Sequence, residues 1–460
     1  MGHPRSTSTP RHPARDVALS QLLPLHRIDL SSNALAHTPL KAHRQLPSRP
    51  ASEERTQTMS FLHSCATHPN TRATVANYPS VTDLDQVVVV VGGSLGGLAV
   101  THRLLKHARR RHPKIKVVLV TRNSHFYWNI ASVRAIIPGA LRRGTDDVLR
   151  AIEPELVHRY PSDNVQYVAG RAIRLDPAAK TVSVDTPTYG IRLVHYTHLV
   201  LATGADAAVA GMPWKASSTY EALLGDIRET ADLVQRAGHV TVAGGGPTGV
   251  ELAAEIKAAY PAKTVLLLHL GAQLLGGDST APLVERELRA MGVELHKGAK
   301  ATSVDRESRP DGTIVVTLSD GGSFETDAYL STSGQVPNTR WMPKNLLTDK
   351  GYVDVDDCMR VKGVDNIWAV GDVVSKPKAG LLNTEAHAAC VAKNIELSFS
   401  NKDQEPVKLP TTDVFLCTLG PDRGVGRYGS IPLPSFVVWA LKSRSLATER
   451  TSKYVKGSMW

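Results

Sequence analysis

Two thiols close enough in sequence to form a relay are missing from this chain. Its four cysteines, Cys65, Cys358, Cys390 and Cys417, stand far apart, with no CxxC or CxxxxC pair. That spacing indicates neither a redox dithiol nor a thiolate metal cluster, and isolated thiols of this kind suit a reducing compartment. Also missing is any apolar run of about eighteen residues, so no transmembrane helix is expected. Aromatic residues make up only 5 %, and nowhere do they interleave with a block of Lys or Arg, which argues against a nucleic-acid surface. The formal charge of +11 does not reverse this, because residues 1–80 hold nine Lys/Arg against four Asp/Glu and so supply +5 of it. The remainder is mildly basic. A solvated basic face is the ordinary reading, although such a face also attracts phosphates or an anionic membrane.

What the chain does have is a stretch from Val87 to Leu105, VVVVVGGSLGGLAVTHRLL. Five consecutive valines read as a strand buried on both faces, and the glycine cluster leads into an apolar-periodic helix. This is the strand–turn–helix opening of a dinucleotide-binding βαβ unit. A second copy follows at His239–Ala243, then Gly244, Gly245, Gly246, Pro247, Thr248, Gly249, leading into VELAAEI. Two such turns in one chain point to two bound dinucleotides, since each glycine turn lets backbone N–H groups and a helix N-terminus face a pyrophosphate. The fingerprint GxGxxG is complete in the second turn (Gly244, Gly246, Gly249); in the first the middle glycine is Ser94, between Gly92 and Gly97. Neither unit has the acid expected about 20 residues on, which would hold a ribose hydroxyl. The second strands end at Thr121-Arg122 and at His269 instead, which leaves the choice between NADH and NADPH open.

At 460 residues, two or three domains are expected. Residues 1–80, rich in Ser, Thr, Pro, His and Arg, read as a disordered extension. Their Arg- and Ser-rich composition also suits a mitochondrial transit segment, although Pro4, Pro10, Pro13 and Pro24 interrupt an amphipathic helix. Met1-Gly2-His3-Pro4-Arg5-Ser6 fits a loose myristoylation pattern, and Met59 is an alternative start that removes both signals. Residues 81–206 read as the first part of one nucleotide domain, with a second strand over 115–120, a helical pattern over 131–153, a meander of strands at 165–168, 171–175 and 181–184, and a strand ending in Ala202-Thr203-Gly204. Residues 207–325 read as the second nucleotide domain, with helices over 220–237, 247–259 and 281–291. Residues 326–397 return to the first domain through the strand ending in Gly371-Asp372 and a helix over 383–397. Residues 398–460 form a C-terminal region with a strand over 413–419 and a short apolar helix over 435–441.

From about Val87 to Val455 the chain resembles the two-dinucleotide flavoproteins of the pyridine nucleotide-disulfide oxidoreductase superfamily. Within it, the resemblance is to the AMID-like branch, relatives of apoptosis-inducing factor that include the ferroptosis suppressor quinone reductases. The stretches that carry it are HFYWNIASVRAII (125–137), GGGPTGVELAAEIK (244–257), NIWAVGD (366–372), TLGPDRGVGRYG and PSFVVWALKSRSL. The resemblance implies an α/β, glutathione-reductase-like architecture of two Rossmann-like domains plus a C-terminal region. It implies FAD bound non-covalently, a hydride taken from NAD(P)H and electrons passed to a quinone-type acceptor. It also implies a location that is cytoplasmic or peripheral on a membrane, mitochondria included. Disulfide reductases of the superfamily need two close thiols beside the flavin, which this chain lacks.

Carried over by residue, Gly92, Gly93, Ser94, Leu95, Gly96 and Gly97 would hold the FAD pyrophosphate, Arg134 would lie against it, and the Ala172 backbone would meet the adenine. Thr203 and Gly204 give a bulk-free turn for close backbone approach, and Gly371-Asp372 would meet the ribityl chain. Gly244, Gly246 and Gly249 would hold NAD(P)H, with Lys215 beside the flavin, Glu251 near the nicotinamide and His387 close to the isoalloxazine. Each has a duller reading. Asp372 also reads as a helix N-cap, Lys215 as a solvated loop lysine and Glu251 as an acid favouring its helix dipole. For His387 a satisfied structural histidine is favoured, because hydride transfer needs no imidazole base. No metal site is expected. A second functional reading is a flavoprotein that turns over slowly and signals through its reduced, NAD(P)H-bound state. Residues Pro432–Lys442 either insert into a membrane interface or pack on the domain.

Overall fold

The computed structural model describes residues 86–460 except 217, 307–311, 377–379 and 412. The readings of residues 1–80 as a disordered, targeting or acylated segment lie outside the described residues.

The valine run forms β1 (Val87–Val91), followed by α1 (Leu95–Arg103). β2 (Lys116–Thr121), β3 (Val165–Ala169) and β4 (His198–Leu201) join it in an all-parallel sheet. Every residue of β1 is buried, as a central strand covered on both faces must be. The chain then leaves this sheet. After α2 (Tyr220–Arg236) it builds a second parallel sheet from β5 (His239–Ala243), β6 (Thr264–His269), β7 (Val293–Lys297) and β8 (Ala328–Ser331), with α3 (Pro247–Ala259) and α4 (Ala281–Ala290) as its crossovers. It returns with β9 (Ile367–Ala369), which pairs with β4 at the edge of the first sheet, and with α5 (Leu381–Ser398). The strand orders are β9-β4-β1-β2-β3 and β7-β6-β5-β8. One apolar core runs through both sheets.

Three expectations need correction. The helical pattern over 131–153 breaks into the turns Asn129–Ala131, Ser132–Ala135 and Gly144–Asp147 and the strand Leu149–Ala151. Pro138 removes a backbone donor, and Gly139 and Gly144 adopt positive φ, so no continuous helix survives. Val165–Ala169, expected to open the meander, is the fifth strand of the parallel sheet, and the meander consists of Arg171–Asp176, Thr181–Thr186 and Gly190–His195. The C-terminal region is more ordered than a mixed tail. β10 (Val414–Thr418), β11 (Gly424–Tyr428) and β12 (Ile431–Leu433) form an antiparallel sheet. The helix expected over 435–441 runs from Ser435 to Val438 and then widens into a π-helical turn over Trp439–Ser443.

The final segment packs on α1. His102, fully buried there, donates from Nε2 to the Val455 carbonyl (3.0 Å) and accepts at Nδ1 from the Tyr160 hydroxyl (2.8 Å). Burial above all pushes its pKa down to about 3, and burial likewise pushes His198 to about 4. In the unfolded chain both imidazoles take up protons near the ordinary value of about 6.5, whereas the folded chain refuses them. This contribution to stability is complete above about pH 6.5 and is lost as the pH falls toward 4. Thermal unfolding is therefore expected to shift to lower temperature between pH 7.5 and 5, and the shift should be smaller in His102→Gln. Equal pH slopes in the two proteins would contradict this assignment.

Candidate nucleotide sites

Both glycine turns obey one packing constraint. In each, the helix starts so close to the strand end that a Cβ on the last glycine has no room: on Gly97 it would lie 1.8 Å from the Gly92 carbonyl oxygen, and on Gly249 1.8 Å from that of Gly244. The middle position differs, because a Cβ at Gly246 would meet nothing within 4 Å. Ser94 is thus compatible with the turn, and any demand for a small residue there comes from a ligand rather than from the chain. Among the described residues no side chain caps α1 or α3. Their first N–H groups are left for an anion.

The first turn opens onto a cavity of about 820 Å³, in the size range of small-molecule and cofactor sites. Gly92, Gly93 and Ser94 line it, as do Thr121, Ala172 and Thr203. Leu95, Gly96 and Gly97 lie in the first turn of α1 beneath it. The Ala202-Thr203-Gly204 turn is pinned to Asn338, which accepts from Thr203 Oγ1 (2.9 Å) and donates from Nδ2 to the Thr203 carbonyl (3.1 Å). Exposed Arg122, Arg171 and Arg340 also line the cavity, residues that the motif reading did not single out. Their cationic charge suits an anionic ligand.

Lys215 and Asp372 come together from distant parts of the chain and form a half-buried ion pair. The loop and helix-cap readings of these two residues therefore do not describe them. Asp372 sits in a 3₁₀ turn (Gly371–Val373) after β9, and no side chain caps that turn. The HFYWN stretch holds the lysine segment in place: Tyr127 donates its hydroxyl to the Pro213 carbonyl (2.9 Å), and Asn129 Nδ2 donates to that of Trp214 (3.2 Å). Trp214 Nε1 in turn donates to Ser331 at the end of β8 (2.8 Å). His387, on α5, is not a satisfied structural histidine. It is fully buried, and neither ring nitrogen has a hydrogen-bond partner among the described residues. Burial, opposed by the nearby Asp372 carboxylate, brings its pKa down to about 4, so the ring is neutral at pH 7.

Two expected residues are engaged elsewhere. Arg134, expected against the pyrophosphate, is absent from the cavity lining. Its guanidinium forks onto Glu255 of α3 and donates to the Arg444 carbonyl (3.3 Å). Burial raises the Glu255 pKa against the pull of that arginine. Glu251, expected near the nicotinamide and alternatively as a dipole acid, accepts from Lys442 Nζ (2.6 Å) and from the Thr418 N–H (3.0 Å). Lys442 also donates to the Leu416 carbonyl (3.0 Å); its burial is outweighed by Glu251, and its pKa lies above the ordinary lysine value. Removing one member of such a pair leaves a buried charge without compensation. Lys442→Met is expected to destabilise the protein by about 3 kcal/mol, with part of the loss recovered in Lys442→Met/Glu251→Gln. Urea unfolding of the single and double variants measures this, and a single variant as stable as the parent would contradict it.

The chain is similar to known proteins. Oxidoreductase ptaL of Pestalotiopsis fici is 32 % identical over 81 % of this chain and 99 % of its own length. Ferroptosis suppressor protein 1 of Homo sapiens is 27 % identical over 81 % and 96 %. Among solved structures, the sulfide:quinone oxidoreductase of Aquifex aeolicus superimposes with a TM-score of 0.64 at 17 % identity, covering 81 % of this chain and 92 % of that one. The family profile for pyridine nucleotide-disulphide oxidoreductases matches residues 86–390. With two glycine turns on two parallel sheets and these relatives, the chain belongs to the pyridine nucleotide-disulphide oxidoreductase family, in its AMID-like branch, and is an oxidoreductase that uses FAD and NAD(P)H.

Proposed function

We propose that this chain carries electrons from NAD(P)H through FAD to a quinone. The observation that carries the reading is the pairing of two uncapped helix N-termini, each behind a glycine turn at the end of a parallel sheet, with one cavity of about 820 Å³ at the first. FAD fits what the chain offers: a phosphate-sized approach over Gly92, Gly93 and Ser94 and exposed arginines around the cavity, with, outside that lining, the buried His387 imidazole, neither nitrogen of which has a partner among the described residues. Bound FAD would supply the redox chemistry, accepting the hydride and passing on the electron pair.

The chain's own groups bind, orient and tune. The N–H groups of Leu95, Gly96 and Gly97 would meet the FAD pyrophosphate, the Ala172 backbone the adenine, and Thr203 and Gly204 the adjoining backbone face. Gly371 and Asp372 would meet the ribityl chain, with Lys215 held at the ring by its pairing with Asp372. His387, neutral at pH 7, would offer the flavin a donor without a charge. Gly244, Gly246 and Gly249 would receive NAD(P)H. Arg134, Glu251 and Lys442 would act through position, by holding α3 and the C-terminal region together.

Three features favour an external acceptor. Among the described residues no cysteine lines the cavity, and Cys417 is fully buried, its thiol pushed well above the ordinary range by burial. Electrons would then leave to a molecule that reaches the flavin itself, and the structurally similar Aquifex aeolicus protein is a sulfide:quinone oxidoreductase. No described helix is long and apolar enough to cross a membrane. β12 and the segment after it instead expose Ile431 in the strand and Phe436 (72 %) and Leu441 beyond it, with Arg444 stacked over Trp439 at 5.8 Å, while Val438 is buried. This face suits contact with a lipid surface that holds an apolar quinone.

The purified protein is expected to be yellow, to carry about one FAD per chain and to reduce a short-chain quinone with NADH or NADPH. A correctly folded, colourless protein would overturn the reading. A yellow protein that does not turn over with quinone would remove the acceptor. Flotation with anionic liposomes is expected for the parent and reduced in Phe436→Ser/Leu441→Ser; equal flotation of both would reject the lipid face.

A further inference from the structure

Arg427 stands in the GVGRYG stretch of β11, far from either glycine turn in sequence, and makes one of the most complete polar networks in the molecule. Its Nε donates to both carboxylate oxygens of Asp278 (3.1 and 2.9 Å) and its Nη2 to Oδ2 of the same residue (2.7 Å). Nη1 donates to Asp413 (2.5 Å) and to the Gly429 carbonyl (2.9 Å). Both Arg427 and Asp278 are largely buried. Asp278 also accepts from the N–H and hydroxyl of Thr280 (3.0 and 2.8 Å), just before α4.

Asp278 ends the loop that leaves β6 after His269. That loop runs directly against the second glycine turn. The Leu275 N–H donates to the Gly245 carbonyl (2.7 Å), while the Gly245 N–H donates to His269 Nδ1 (3.3 Å) and His269 Nε2 donates to the Gln273 carbonyl (3.0 Å). The Gly245 carbonyl is thereby committed to this loop, and its N–H to His269 at the end of β6, whose ring in turn holds the loop. Contact is close as well: a Cβ on Gly245 would lie 2.6 Å from the His269 ring and 2.7 Å from Leu274. To make these contacts the loop takes three successive left-handed residues, Leu275 (φ 56°), Gly276 (φ 67°) and Gly277 (φ 83°). A left-handed leucine is unfavourable and persists only where its surroundings hold it. The fork from Arg427 onto Asp278, immediately after these residues, is a rigid and strong anchor of that kind.

We propose that Arg427 is a positioning residue for NAD(P)H: by fixing Asp278 it holds loop 270–278, and the loop holds Gly245 and with it the shape of the dinucleotide turn. The C-terminal sheet thus shapes a nucleotide site whose motif lies about 180 residues earlier in the chain. The inference rests on the reading that the second turn receives NAD(P)H, and the experiment separates the two.

Dissociation constants for NAD⁺ and NADP⁺ are measured by calorimetry on the FAD-loaded full chain, alongside the limiting rate of flavin bleaching at saturating NADH. Variants are Arg427→Met, Arg427→Lys and, as a probe of occupancy, Gly246→Asp, at a position where an added Cβ would meet nothing within 4 Å. Both arginine variants are expected to bind the nucleotide about tenfold more weakly, the size expected from losing hydrogen bonds to a charged group, with FAD content and limiting rate unchanged. The swapped pair Arg427→Asp/Asp278→Arg should recover part of the affinity. If Arg427→Met does not fold, Arg427→Lys decides, since it keeps the charge and loses the fork. Unchanged affinity in the arginine variants, together with lost binding in Gly246→Asp, would overturn the proposal and leave the site reading standing. Unchanged affinity in Gly246→Asp would overturn both.

Discussion

The constraint on which the rest of the molecule depends is the close approach of a helix start to a strand end. At Gly97 and at Gly249 the helix backbone presses on the first glycine's carbonyl so tightly that no side chain fits, and the approach is the same in both turns. This contact aims the first N–H groups of α1 and α3 outward at the strand ends. The site demands rigidity there, because a pyrophosphate held by backbone donors tolerates little drift in their positions.

Each nucleotide helix is then held from outside by the C-terminal region. On α1, His102 is enclosed by Tyr160 and Val455 and stacked by Trp460 at 5.6 Å, and Lys106 donates to the carbonyls of Gly457 and Trp460. On α3, Glu251 receives Lys442, and Glu255 receives Arg134 from the loop after β2. Such buried pairs are weak as net stabilisers but severe as constraints, because either partner alone would be stranded in the interior. They fix the relation of the two sheets by ion pairs as well as by apolar packing. Lys215, Asp372 and His387 come from three separate segments: the lysine pairs with Asp372, whose carboxylate acts on the histidine, and desolvation keeps that buried histidine neutral.

The fold was readable where one local pattern suffices. A buried strand, VVVVV in one unit and HVTVA in the other, followed by glycines and an apolar helix is a local pattern, and both units were legible for this reason. Thr203 was legible as part of a turn with little side-chain bulk, whereas Ala172 came only from the resemblance; both line the cavity. What stayed hidden depends on contacts between segments far apart. Arg134 was placed against the pyrophosphate by the resemblance alone, yet its partner Glu255 lies 121 residues on. Lys442 read as the basic flank of an apolar face, and only the fold turns it inward to Glu251. Arg427 was visible inside a diagnostic stretch, but no period or spacing could reveal its fork onto Asp278. Val165 was assigned to the meander it directly precedes, whereas its partner, Val117 of β2, lies far earlier in the chain.

The proposed function requires that a hydride pass directly from NAD(P)H to FAD. It is tested most directly by the kinetic isotope effect on flavin bleaching in stopped flow, with NADH deuterated at the transferred position of C4. The account predicts slower bleaching with the deuterated donor, while the dissociation constant for the donor stays the same. Bleaching at the same rate with both donors, under conditions where binding and release are faster than reduction, would contradict it.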